Sequence, residues 1–127
     1  QSGRIDWVTD LAQIPQTTGV TNIYGDLGQI FAQSTIAEPR LCAAMLGQLI
    51  QGLGADHVVW GTDAIWTGAP QWQIESLRRL EIPLELQKKY GFKPLGPADQ
   101  PEPGTDCSGP RKVPPFAIPT LPRGWPR

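Results

Sequence analysis

Asp63 closes the stretch Ala55-Asp56-His57-Val58-Val59-Trp60-Gly61-Thr62-Asp63, in which a short apolar run passes through Gly-Thr into a carboxylate. Val58, Val59 and Trp60, bounded by Gly54 and Gly61, read as a buried strand of parallel-sheet type. A carboxylate just past the carboxyl end of such a strand lies where α/β folds and barrels assemble their chemistry. There it can bind a metal, act as a general base, or cap the following turn. The loop after it, Ala64-Ile65-Trp66-Thr67-Gly68-Ala69-Pro70, carries a large aromatic suited to a pocket wall. Asp26, in Tyr24-Gly25-Asp26-Leu27-Gly28, holds the matching place after a second strand. If the two strands are adjacent and parallel, Asp26 and Asp63 share one rim, and Asp26 either contacts substrate or caps a turn. His57, the one histidine, enters the strand that Asp63 leaves. Six residues of extended chain span about 20 Å at roughly 3.3 Å per residue, so His57 is not expected to share a metal with Asp63.

The elements that must position these residues follow from periodicity and from Pro and Gly. Ile5, Trp7, Val8, Leu11 and Ile14 have helical spacing, stopped by Pro15. Gln16 to Gly19 reads as a turn, Val20 to Leu27 as a strand, and residues 29–37 as a connection. Glu38-Pro39 opens the longest helix, with Leu41, Ala44, Met45, Leu46, Leu49, Ile50 and Leu53 apolar and Gly52 and Gly54 near its end. A strand over 57–60 and a loop over 61–69 follow. Pro70 then opens a helix with Trp72, Ile74, Leu77 and Leu80, and Pro83 a shorter one that ends by Tyr90-Gly91. Trp7, Trp60 and Trp72 are expected in the core. Strands alternating with helices indicate βαβ units and a parallel sheet. Two strands alone leave two edges and one face uncovered, which marks residues 1–96 as part of a larger fold.

Composition narrows the function. Of 127 residues with 39% hydrophobic content, the apolar periodicity lies in 1–96, whereas 97–127 hold nine of the 14 prolines. The first residue, Gln1, is read as the mark of a processed chain or a piece of a longer one. A net charge of −1 offers no long-range attraction to nucleic acid or anionic membranes. No apolar run is long enough for a membrane span, and a cytoplasmic location is the default. Cys42 and Cys107 differ in context and read as free thiols. Phosphate-cradling and serine-hydrolase motifs are missing.

Asn22-Ile23-Tyr24-Gly25-Asp26-Leu27-Gly28, then Gly54 to Asp63, then the Pro70–Leu80 helix, together resemble the C-terminal part of the amidohydrolase-related (amidohydrolase family 2) metal-dependent hydrolases, over roughly residues 4–96. The resemblance implies an α/β fold, the last two strands of a (β/α)8 TIM barrel with their helices. It implies that Asp63 is a metal ligand, for a divalent ion with zinc the first choice, and also the proton acceptor for a metal-activated water that attacks a small-molecule substrate. Some relatives decarboxylate instead. Asp26 and Trp66 are carried over only as pocket lining. The family's His-x-His and later histidines have no counterpart here, and the segment that closes the barrel is replaced by Gly96 to Arg127. That tail reads either as disordered out-of-frame sequence after about Asp99 or as a Pro-rich interaction segment, in which case the chain is a non-catalytic binding protein. With one metal ligand where at least three are needed, the chain by itself is expected to be inactive. Metal analysis after dialysis should find far less than one zinc per chain; a near-stoichiometric content would contradict this.

Overall fold

The computed structural model describes residues 5–95; the Pro-rich tail and Cys107 lie outside them. The fold is mostly helical with a small parallel sheet. Helix α1 (Asp6–Thr18) leads to strand β1 (Gly25–Asp26), then helices α2 (Gly28–Ala37) and α3 (Pro39–Leu53). A 3₁₀ turn (Ala55–His57) feeds strand β2 (Val58–Val59), followed by the single-turn helix α4 (Ala64–Thr67), α5 (Gln71–Arg79) and α6 (Leu84–Tyr90). β1 pairs with β2 in parallel, Gly25 opposite Val58 and Asp26 opposite Val59. The expected alternation is therefore present, with both strands shorter and extra helices between them.

Helix α3 is the hub. Pro39 begins it without loss, because the first helical N–H has no partner in any case. Its interior buries Cys42, Ala43, Ala44, Met45, Leu46, Gly47 and Leu49. These meet Val8 of α1, Phe31 of α2, Val58 of β2, and Leu77, Leu80, Ile82 and Phe92 from the C-terminal part. Side chains alternate across a strand: a Cβ on Gly25 would lie 3.3 Å from Leu53 Cδ1 and 3.6 Å from Leu49 Cδ2. Gly25 and Val58 therefore face α3. The opposite face carries Asp26, which is exposed, and Val59, half-buried.

Helix α1 runs past Pro15, which was expected to stop it, and ends at Gly19, whose φ of 75° is left-handed. The last turn is tied by Thr17 and Thr18, whose hydroxyls donate to the carbonyls of Gln13 and Ile14 at 3.0 and 2.8 Å. The helix is also held from outside, because Gln16 Nε2 donates to the Gly52 carbonyl at 3.0 Å. Tertiary packing thus outweighs the cost of one missing helical hydrogen bond.

The same packing corrects the placing of Trp7, which is 52% exposed. Residues Val8, Thr9 and Ala12 face α3 instead. Where α1 and α3 cross, a Cβ on Gly52 would come 2.2 Å from the Ala12 carbonyl oxygen, a separation that only small residues permit, so the indole is left on the flank. Trp60 and Trp72 are half-buried. Residues 29–37, read as a connection, are α2; its buried Phe31, Ala32 and Ser34 leave Ile30 and Ile36 exposed, so no apolar stripe betrays the helix.

The crossing gives a stability prediction. Gly52→Ala should lower the unfolding free energy by about 2–3 kcal/mol, as over-packing does, read as a fall in the urea midpoint. An unchanged midpoint would mean that α1 does not sit against Gly52.

Candidate functional site

Parallel pairing puts the carboxyl ends of both strands on one rim, and both chains turn there. Leu27 N–H donates to the Val59 carbonyl at 3.0 Å, extending the ladder one residue past β1. Asp26 Oδ1 then accepts from the N–H of Gly28 and from the N–H of Gly61, each at 3.1 Å. One carboxylate oxygen therefore bridges the turns that follow the two strands. The first is a local Asx-type contact; the second crosses between strands.

Asp63 stands over the same spot. A methyl group on Gly28 would lie 3.0 Å from Asp63 Oδ2 and 3.9 Å from Asp26 Oδ1. Gly28 has a φ of +33°, and its bare Cα leaves room for the Asp63 carboxylate. Asp63 itself has φ 45° and ψ 38°, the left-handed region, and is the one non-glycine residue with positive φ among those described. For a residue with a Cβ this costs about 1–2 kcal/mol, offset in part by what the turn gains. The Asp63 carbonyl accepts from Trp66 N–H at 2.8 Å and Thr67 N–H at 3.0 Å, forming α4. Strain of this kind gathers at working sites.

The segment 62–67 is pinned from α5. Gln73, with no exposed surface, donates from Nε2 to the Thr62 carbonyl at 3.0 Å and to Thr67 Oγ1 at 2.8 Å. Thr67 Oγ1 in turn donates to the Thr62 carbonyl at 2.6 Å. Residues 61–69, read as a plain loop, therefore hold a braced helical turn. The buried face of α5 is Gln73 and Leu77, with Trp72 and Ile74 at its sides. The one sequence signal for Gln73 was its i, i+4 spacing from Leu77, which an apolar pattern search passes over.

The remaining candidates fall apart from this rim. Trp66 is on α4 and 79% exposed; it stands beside Asp63 in the chain without lining the cavity near Asp26. That cavity, lined by Trp7, Leu11, Ile30, Phe31 and Met45 together with Asp26, holds about 20 Å³, room for one water. His57 ends the 3₁₀ turn at the opposite end of β2, its ring 4.8 Å from that of Tyr24 and its Nδ1 3.3 Å from Asp56 Oδ1. Cys42 is 2% exposed. Burial pushes its thiol up from the ordinary 9.0, and hydrogen bonds with Ser34 and Thr35 pull the other way. It packs in the core beside Met45 and Leu46 of the same helix.

Among the described residues, no group of three or more His, Cys, Asp and Glu side chains is arranged to hold a metal ion. Asp26 and Asp63 supply hard carboxylate oxygens, which suit a divalent ion as part of a coordination shell. No helix among these residues is long and apolar enough to cross a membrane. No protein-family model, curated protein or solved structure matches the chain.

The double acceptor role of Asp26 separates bridging from substrate binding. Asp26→Asn keeps a carbonyl oxygen for both N–H groups and should lose less than about 1 kcal/mol of stability, whereas Asp26→Ala strands two donors and should lose about 1–3 kcal/mol. Denaturant titration decides it: equal, negligible losses would remove the bridge.

Proposed function

We propose that residues 5–95 are the closing portion of a (β/α)8 barrel of the amidohydrolase-related metal-dependent hydrolases, with Asp63 as metal ligand and proton acceptor. The reading is carried by the shared rim: a parallel register that brings Asp26 and Asp63 to one Gly28-floored spot beyond the strand ends. In barrels this is the end at which catalytic side chains converge. Supporting it, each strand has one edge without a strand neighbour among the described residues, and the face bearing Asp26 and Val59 is incompletely covered. A complete barrel would occupy both.

Asp63 is the side chain here that would hold the metal, with the remaining ligands supplied from outside residues 5–95. A divalent ion so held supplies Lewis acidity and lowers the pKa of water. The chain's own residues do the positioning. The left-handed turn at Asp63 presents its carboxylate above Gly28, where nothing larger than hydrogen intervenes. Asp26, occupied by two backbone N–H groups through Oδ1, holds the rim and has Oδ2 left for a substrate or a water. The carboxylate of Asp63 can take a proton from the attacking water and return it to the leaving group. Cleavage of a C–N or C–O bond is the reaction assigned, with decarboxylation the alternative within the same resemblance.

Two observations test the assignment. Coding sequence immediately upstream of Gln1 should encode His-x-His and two further histidines. In the protein carrying them, Asp63→Asn should reduce turnover by more than about a hundredfold through loss of a ligand and base while leaving the fold intact by circular dichroism. Retained turnover would refute the role of Asp63.

A further inference from the structure

We propose that Gln73 is a positioning residue, whose side-chain amide locks the left-handed turn that aims Asp63 over Gly28. Its functional meaning rests on the reading of Asp63 given above; the lock itself does not.

The turn cannot be held by Asp63 alone. Ala64 N–H donates to Thr62 Oγ1 at 3.2 Å, and Thr67 Oγ1 reaches both the Thr62 and Asp63 carbonyls at 2.6 and 3.0 Å. These contacts are internal to residues 62–67, and a segment bonded only to itself can swing as a unit. Gln73 fastens it to α5, whose Leu77 is in the core. Both hydrogens of Nε2 are used: one goes to the Thr62 carbonyl, which precedes Asp63, and the other to Thr67 Oγ1, which follows it. The strained residue is thus bracketed on both sides by one rigid planar group. The orientation of the amide is fixed by chemistry, since the Thr62 carbonyl can only accept and so must face Nε2.

Space filling does not explain this side chain. Its Oε1 is buried and lacks a hydrogen-bond partner among the described residues, a penalty that leucine or methionine would avoid at similar volume. What glutamine adds in return is the pair of N–H bonds, sheltered from competing water because the residue has no exposed surface.

The test is residue-resolved amide hydrogen exchange on the full 127-residue chain, comparing Gln73→Leu with the parent. The amides of Trp66 and Thr67, which donate to the Asp63 carbonyl, should exchange at least about tenfold faster as the turn opens locally. The amides of Leu27 and Phe31, bonded to Val59 and Leu27, should keep their rates. Unchanged protection at Trp66 and Thr67 would overturn the proposal, and so would uniform acceleration at all four sites, which marks a mere core residue. If Gln73→Leu does not fold, Gln73→Met keeps the unbranched apolar stem and removes both N–H donors while leaving the Thr67 hydroxyl in place; acceleration confined to Trp66 and Thr67 supports the lock, and unchanged protection there refutes it. An exchange result in favour, together with an active Asp63→Asn enzyme, would leave the lock standing and sink only the functional reading.

Discussion

The rest of the structure depends on one clamp: the Asp26 carboxylate accepting the N–H groups of Gly28 and Gly61, beside the bond from Leu27 N–H to the Val59 carbonyl. Strands of two residues each carry too few ladder hydrogen bonds to fix their own register. The clamp fixes it at the strand ends, where the chain turns into α2 on one side and toward Asp63 on the other. A slip by one residue would turn Val58 away from α3 and move Asp26 off the rim. Register, core and candidate site are therefore set together.

The clamp acts at the edge of a core built around α3. Small residues on α3 let its neighbours approach closely: Gly52 meets the backbone of α1 at Ala12, and Gly47 meets the ring of Phe92. Close packing on this side gives the sheet a firm back. The other face of the sheet bears Asp26, which is exposed, and Val59, which is half-buried.

Much of this was legible in the residues. Pro39, Pro70 and Pro83 opened helices, and Gly91 closed one, because proline and glycine act through local backbone geometry that tertiary contacts seldom reverse. The parallel pair and the common rim of Asp26 and Asp63 followed from strand, helix, strand order. Where tertiary contacts decide, the sequence was silent. Pro15 lies within α1 because Gln16 and Ala12 are held by α3. Trp7 is exposed because the crossing at Gly52 admits only small residues. Helix α2 has no periodic stripe to reveal it, and Gln73 is a polar residue on a buried face, its purpose visible only once the Thr62 and Thr67 partners are in place. The left-handed backbone of Asp63 had no signal either, since aspartate tolerates that conformation without demanding it.

The most direct test of the central claim, that the parallel register brings both carboxylates to one rim, is a through-hydrogen-bond scalar coupling measurement on the isotope-labelled chain. The hydrogen bond from Leu27 N–H to the Val59 carbonyl should give a coupling between the Leu27 amide nitrogen and the Val59 carbonyl carbon. A coupling from Leu27 to the carbonyl of Val58 or Trp60 would place the strands in another register and contradict it.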